Sequence, residues 1–161
     1  MSNDVYLGNP LLKKANTPIE FTQEQIEEFI KCKDDPVYFA NNYVKIVTLD
    51  HGLQTFKPYH FQEKLINNFH NHRFNICKMP RQTGKSTTVV SFLLHYAVFN
   101  DNVNIGILAN KAATARELLD RLQTAYENLP KWMQQGIISW NKGSLELENG
   151  SKILAASTSA S

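Results

Sequence analysis

The sequence Gly-Lys-Ser at residues 84–86 lies between a short apolar stretch and a long one. Ahead of it, residues 74–79 carry apolar side chains at alternate positions, a pattern that predicts a strand. Behind it, residues 86–99 repeat apolar side chains at helical spacing. Strand, loop and helix in that order are the context of a phosphate-binding loop, Gly-x-x-x-x-Gly-Lys-[Ser/Thr], in which the helix N-terminus faces an anion. The segment therefore predicts such a loop, with Met79 in the place of the first Gly.

Each residue of the predicted loop has an expected role. Lys85 is expected to contact the β and γ phosphates of a nucleotide, and the hydroxyl of Ser86 is the candidate ligand of Mg²⁺. The backbone N–H groups expected to line the phosphates belong to Gln82, Thr83, Gly84, Lys85, Ser86 and Thr87. The alternative is an ordinary turn between a strand and a helix, in which Lys85 is a solvated side chain and Ser86 only a helix N-terminal hydroxyl.

Composition places the chain among globular proteins of one domain. It has 161 residues, of which 42% are hydrophobic and 11% aromatic. We expect a cytosolic protein, because no apolar run reaches the roughly 20 residues that span a bilayer and the polar N-terminus does not resemble a signal peptide. Cys32 and Cys77 are far apart in sequence and are expected to be reduced thiols. The net charge of +2 is too small to indicate nucleic-acid binding.

Helical signals dominate the first part of the chain. Thr22 and Gln25 match a capping box, and Asp35 followed by Pro36 is typical of a second helix start. The first twenty residues carry no periodic apolar face and are expected to form a surface arm. Apolar spacing predicts helices over residues 23–33, from residue 36 onward and over residues 59–71.

Strands and helices alternate in the second part of the chain. Residues 103–109 are almost continuously apolar, which predicts a buried strand, and Asn110 is expected to cap the helix that continues to Pro130. Strands are also expected over residues 136–140, 145–148 and 152–154, the last two joined by a hairpin turn at Asn149-Gly150. This order predicts an α/β fold with a parallel, helix-covered sheet and an antiparallel appendage.

Four segments in this order resemble the large terminase subunits of tailed bacteriophages, most closely those of T-even-like phages. Residues 35–43 resemble the N-terminal helix of that family, and Tyr59-His60-Phe61-Gln62 resembles its adenine-recognition segment. Arg81-Gln82-Thr83-Gly84-Lys85-Ser86 resembles its phosphate loop, which lacks the first Gly and keeps an Arg-Gln pair. Residues 140–151 resemble the hairpin that follows its second helix.

The resemblance implies a P-loop NTPase of the RecA-like, or ASCE, type with an incomplete sheet. Residues 1–58 would form an N-terminal arm and helices, and residues 59–161 the front part of the ATPase domain. The family consists of two-part motors that use ATP and Mg²⁺ to drive double-stranded DNA into a procapsid and cut concatemers with a separate nuclease domain. The implied partners are the small terminase subunit, the portal protein and further copies in a ring, in the host cytoplasm and without a membrane.

The resemblance also implies catalytic roles. Lys85 would act on the β and γ phosphates, and Arg81 would stabilise charge that develops on the γ phosphate; a structural ion pair is the alternative for Arg81. The family's acidic motif is expected to begin shortly after Ser161. We therefore expect this polypeptide alone to bind ATP weakly, with negligible turnover.

Side chains ahead of the loop are suited to the base of a nucleotide. The amide of Gln62 both donates and accepts, as the edge of adenine requires; an exposed helix glutamine is the alternative. Tyr59 or Phe61 is a candidate to stack on the base, but Phe61 lies on the apolar stripe of its helix and is expected in the core. Where the family often has a second Gln, this chain has Lys57.

Two other functions remain open at this point. One is a different P-loop ATPase such as a helicase, which also carries a Gln-containing segment ahead of the loop. The other is a nucleotide-sensing or assembly module that binds a nucleotide and never hydrolyses it. Nucleotide titration separates binding from no binding, and turnover separates an enzyme from a sensor.

Overall fold

The structure is a computed structural model that describes residues 4–48 and 50–158. The helices are α1 (Gln23–Asp34), α2 (Pro36–Tyr43), α3 (His60–Asn71), α4 (Lys85–Phe99) and α5 (Ala112–Glu127). The strands are β1 (Val5–Tyr6), β2 (Asn9–Lys13), β3 (Lys45–Thr48), β4 (Gly52–Thr55), β5 (Asn104–Ala109), β6 (Ile137–Trp140), β7 (Ser144–Leu147) and β8 (Lys152–Ser157). The α/β class predicted from the sequence is confirmed.

Local signals set most helix starts as predicted. The Thr22 hydroxyl accepts a hydrogen bond from Gln25 N at 3.2 Å, and the Gln25 side chain accepts one from Thr22 N at 3.1 Å, which completes the capping box of α1. The Asp35 carboxylate accepts hydrogen bonds from two N–H groups in the first turn of α2. The predicted cap of α5 is wrong: the backbone of Lys111 is still extended, so Lys111 rather than Asn110 is the N-cap.

The main sheet has four strands in the order β5-β8-β7-β6. β5 and β8 run parallel, with Ile105 opposite Ile153, whereas β7 is antiparallel to both of its neighbours. The predicted turn at Asn149-Gly150 joins β7 to β8, and Gly150 has φ 81°. The expected parallel sheet is thus one parallel pair, and the predicted antiparallel appendage continues the same sheet.

β5 is covered on one face, although its apolar composition predicts a buried strand. Ile105 and Ile107 are buried, whereas Leu108 is 65% exposed. Side chains alternate between the two faces of a strand, and α5 packs against β5 and β8 from one side. The residues on the opposite face of β5, Asn104, Gly106 and Leu108, are exposed.

Residues 5–13 form a hairpin that packs on the rest of the chain, whereas the absence of a periodic apolar face predicted a surface arm. β1 and β2 pair antiparallel, Leu12 is buried, and the chain after β2 forms a bridge to Ile137 in β6. Gln134 bonds the backbone of this hairpin, and these partners lie more than 120 residues apart in the sequence. Local periodicity does not detect contacts at that separation.

An ion pair joins this hairpin to the main sheet. Lys13 Nζ lies 3.1 Å from the Glu148 carboxylate, which also accepts hydrogen bonds from the N–H groups of Asn16 and Gly136, each at 2.7 Å. Burial alone favours the neutral acid, but these donors and the Lys13 charge outweigh it and hold the pKa of Glu148 below its ordinary value. The pair therefore connects the two ends of the described chain.

The helix after the loop, α4, occupies the centre of the core. It contacts α2, α3 and α5, and it buries Leu94 and Val98. The tip of the β7–β8 hairpin covers its C-terminal end, where the Asn149 amide donates to the carbonyls of Ala97 and Asn100 at 2.9 and 3.1 Å. These bonds satisfy carbonyls that a helix end leaves unpaired. The hairpin thereby fixes the end of α4 that lies opposite the loop.

Residues 74–79 do not form the predicted strand. They belong to no helix or strand, Phe74 is 83% exposed and Ile76 is fully exposed. A strand needs a neighbour to bond its N–H and C=O groups, and none of the strands in the described residues pairs with this segment. The alternating pattern marks a segment that is suited to a sheet but has no partner strand in this part of the chain.

A buried histidine on α4 has a shifted pKa. One ring nitrogen of His95, Nε2, bonds the Cys32 carbonyl at 2.8 Å, and Nδ1 is buried without a hydrogen-bond partner among the described residues. Burial lowers the pKa of His95 from 6.5 to about 4; the bond to Cys32 opposes this shift, and the charge of nearby His70 adds to it. The folded protein therefore disfavours the imidazolium that the unfolded chain tolerates.

This histidine should make the fold sensitive to acid. Between these two pKa values the unfolded chain binds more protons than the folded one, so the free energy of unfolding decreases as the pH falls from 6.5 to about 4. The full loss is about 3 kcal/mol, and none of it is expected above pH of about 7. Urea unfolding of wild type and His95→Gln across this range should show a flatter pH dependence for the variant. Equal pH dependences would contradict this assignment.

Candidate functional site

Two residues in the left-handed conformation shape the loop ahead of α4. Gln82 has φ 60° and Gly84 has φ 72°, and Gly84 is the N-cap of the helix. Between them the Thr83 hydroxyl donates to the Pro80 carbonyl at 3.0 Å. Backbone of this kind directs N–H groups into a concave anion site. Since no side-chain hydrogen bond caps α4, the N–H groups of its first turn stay available to a ligand.

Gln62 packs against this loop. Its Nε2 donates to the Thr83 carbonyl at 3.4 Å, and its Oε1 accepts from Tyr59 N at 2.8 Å. At 3% exposure it is not the exposed helix glutamine of the alternative interpretation. A Cβ at position 84 would lie 2.5 Å from Nε2 of Gln62, so any other residue there would displace the end of the Gln62 side chain, and the φ of 72° also favours glycine. The two residues hold each other in place.

The charged side chains of the loop differ in their placement. Lys85 Nζ donates to the carbonyls of Met79, at 3.1 Å, and of Pro80, so the ammonium lies within the loop. Arg81 is exposed. Residues 64–100 around them contain five Lys or Arg and no Asp or Glu. The loop therefore lies in a positively charged part of the sequence, which favours an anionic ligand.

A cleft of about 430 Å³ opens beside the loop. Its volume lies within the range of small-molecule sites. The β3–β4 hairpin, the start of α3 and the first turn of α4 provide its walls. The lining residues are Ile46, Gln54, Thr55, Phe56, Lys57, Tyr59, Gln62, Gly84 and Thr87, with no carboxylate among them.

The predicted site residues occupy adjoining positions. Gln62, Gly84 and Thr87 line the cleft, and Thr83 and Lys85 make hydrogen bonds inside the loop. The remaining three, Arg81, Gln82 and Ser86, are exposed around it. Their roles toward a nucleotide stay predictions.

Phe61 is not in the core, contrary to the prediction from its helical stripe. Its side chain is 45% exposed, and its ring stacks on that of Tyr59, with the centroids 6.0 Å apart and the planes 11° from parallel. The inward position on this turn of α3 belongs to Gln62, because the polar loop covers it. Tyr59 is 72% exposed and lines the cleft.

The β3–β4 hairpin is a wall of the site that sequence reasoning missed. Neither of its two strands is among the elements predicted from the sequence. In the structure Ile46 lies opposite Gln54 in an antiparallel ladder. The available signal was the β-branched run Ile46-Val47-Thr48 before the turn, which favours a strand.

The described ranges contain neither a cluster of metal-ligating side chains nor a membrane-spanning helix. Three or more His, Cys, Asp or Glu side chains do not come together there in a way that would hold a metal ion. Helices in the same ranges are too short or too polar to cross a bilayer.

Comparison with known proteins identifies the family. Residues 76–161, just over half of the chain, match the family described as terminase large subunit, T4likevirus-type, N-terminal. The fold is similar to the crystal structure of the HK97 bacteriophage large terminase, with a TM-score of 0.64 and 18% sequence identity. That similarity covers 80% of this chain but 28% of the HK97 chain, so this chain spans little more than a quarter of that terminase. The predicted resemblance is confirmed, and the chain belongs to the T4-like terminase large subunit family, in the N-terminal part of that subunit.

Proposed function

We propose that this chain is the ATP-binding front part of the ATPase domain of a phage terminase large subunit. The observation that carries the proposal is the loop ahead of α4, where Lys85 and the uncapped start of the helix adjoin the cleft beside Gln62. A positively charged loop with free N–H groups suits a triphosphate, and the adjoining cleft suits a base.

Each loop residue has a defined task in the proposed complex. The Lys85 ammonium exchanges the carbonyls of Met79 and Pro80 for oxygens of the β and γ phosphates. Backbone N–H groups of residues 82–87 surround those phosphates. The Ser86 hydroxyl would help to hold Mg²⁺, which would neutralise phosphate charge. Arg81 binds two oxygens at once through its guanidinium and stabilises charge on the γ phosphate.

The cleft is the base end of the proposed site. Tyr59 offers an exposed ring face, and Gln62 forms part of the wall between the base and the loop. The absence of a carboxylate from the lining suits a neutral base next to an anionic phosphate chain. The expectation that these 161 residues bind ATP without sustained turnover has a separate basis: holding Mg²⁺ and orienting the attacking water normally use a carboxylate in addition to the loop hydroxyl, and the family's acidic motif is expected after Ser161.

In the complete terminase this site would form part of a RecA-like, or ASCE, motor. Residues 74–79 would join its sheet, which would bury Phe74 and Ile76. ATP hydrolysis would drive double-stranded DNA into the procapsid in the host cytoplasm, with a nuclease domain, the small terminase subunit, the portal protein and a ring of copies. Family membership favours this function over a helicase. Turnover by the complete protein would separate it from a non-hydrolysing sensor.

Titration of the polypeptide with a fluorescent ATP analogue and Mg²⁺ tests the proposal. Lys85→Ala is expected to weaken binding by about 10- to 100-fold, because it removes a charged donor to the phosphates. Lys142→Ala is the matched control, since Lys142 is an exposed lysine in the turn before β7. Absence of binding by wild type, or equal binding by the two variants, would contradict the proposed site.

A further inference from the structure

The β3–β4 hairpin brings a second glutamine into the cleft. Ile46 and Gln54 are paired across the two strands, so their side chains share one face of the hairpin, and both line the cleft. The neighbouring pair, Val47 and Leu53, belongs to the other face and is absent from the cleft lining. Gln54 and Gln62 therefore border the same space from two different elements.

The two glutamine amides differ in how many of their hydrogen-bond donors and acceptors are already used within the protein. Gln62 is buried, its Oε1 accepts from Tyr59 N, and its Nε2 donates to the Thr83 carbonyl. Gln54 is exposed, and its side-chain amide takes part in none of the hydrogen bonds found over residues 4–48 and 50–158. The amide of Gln54 therefore has all of its donors and acceptors available to a ligand in this cleft, whereas part of the Gln62 amide is already bonded to the protein.

We propose that Gln54 selects adenine over guanine in this cleft and that Gln62 positions the loop; this rests on the proposed nucleotide site. Adenine presents a donor beside an acceptor, N6 and N7, where guanine presents two acceptors. A glutamine amide carries one acceptor and one donor group, so it matches the adenine edge and not the guanine edge. The exposed ring of Tyr59 supplies the surface on which the base stacks.

Gln62 acts on the phosphate end instead. Its Nε2 contacts the Thr83 carbonyl and occupies the space beside Gly84, so it supports the loop conformation. Loss of that support weakens every ligand that carries a polyphosphate, whatever its base. Loss of the Gln54 amide affects only the base. The ratio of ATP to GTP affinity therefore separates the two roles.

Competition titrations with ATP, GTP and inorganic tripolyphosphate test the proposal. Wild type is expected to bind ATP about tenfold more tightly than GTP, and Gln54→Ala to remove this preference by weakening ATP alone. Gln62→Ala is expected to weaken all three ligands by the same factor. Leu53→Ala is the matched control, since it changes the other face of the same hairpin and should behave as wild type.

The outcomes distinguish this inference from the proposed function. An ATP preference that survives Gln54→Ala, or its absence from wild type, would overturn the role of Gln54. A preference lost in Gln62→Ala but kept in Gln54→Ala would assign base reading to Gln62. Failure of wild type to bind either ATP or tripolyphosphate would overturn the nucleotide site itself. Binding of tripolyphosphate with no difference between ATP and GTP would overturn the selectivity alone.

Discussion

Gly84→Ala is expected to lower the affinity for ATP by about 100-fold while the chain stays folded. Gly84 has φ 72°, a conformation that costs alanine about 1–2 kcal/mol. In addition, the new Cβ would lie 2.5 Å from Gln62 Nε2. Either the loop leaves its observed conformation or Gln62 turns away and stops supporting it, and both changes disturb the N–H groups of the proposed phosphate site. ATP titration measures the loss, and circular dichroism verifies that the helices remain.

Gly143→Ala provides the control for this substitution. Gly143 lies before β7, and a Cβ there would meet its nearest neighbour, Asn141 Oδ1, at 3.8 Å, an ordinary contact. This variant should bind ATP as wild type does. If Gly84→Ala bound ATP as tightly as Gly143→Ala, the observed loop conformation would not be part of the binding site.

Phe39→Ala is expected to lower the free energy of unfolding by about 3–5 kcal/mol, the largest stability effect that we predict. The Phe39 side chain on α2 is completely buried. Its ring contacts those of Tyr43, His95 and Phe99, with centroids 6.3, 5.5 and 5.3 Å away. Alanine would leave a cavity where α2 packs against α4. Urea unfolding measures the resulting loss in the free energy of unfolding.

Phe74→Ala is the corresponding change at an exposed site. Phe74 is 83% exposed and lies outside the helices and strands, so its truncation should change the free energy of unfolding by about 0.5 kcal/mol or less. Similar losses for Phe39→Ala and Phe74→Ala would show that α2 does not pack against α4 as described.

Elements with local signals could be predicted from the sequence, and elements with distant partners could not. The capping box at Thr22, the Asp35 cap and the Asn149-Gly150 turn each depend on residues within four positions, and all three are present. The N-terminal hairpin depends on Gln134 and Glu148, far along the chain. Residues 74–79 carry a strand pattern without a strand, because pairing requires partners that the pattern does not specify.

The candidate site divides in the same way. The loop and the start of α4 follow from a continuous motif, so their positions could be predicted. The burial of Gln62 and the exposure of Phe61 reverse the expectation from the helical stripe, because a polar loop rather than an apolar surface covers that turn of α3. The proposed role of Gln54 could not be inferred from the sequence. The hairpin that carries Gln54 is separated from the motif along the chain, and only the fold brings it to the cleft.

The most direct test of the central claim, that this loop binds the phosphates of ATP, is an NMR titration of the isotope-labelled polypeptide with Mg-ATP. We predict saturable shifts that are largest at the backbone amides of residues 82–87, with smaller shifts at Gln54 and Tyr59 in the cleft. Saturable shifts centred elsewhere, with the amides of residues 82–87 unchanged, would contradict the account.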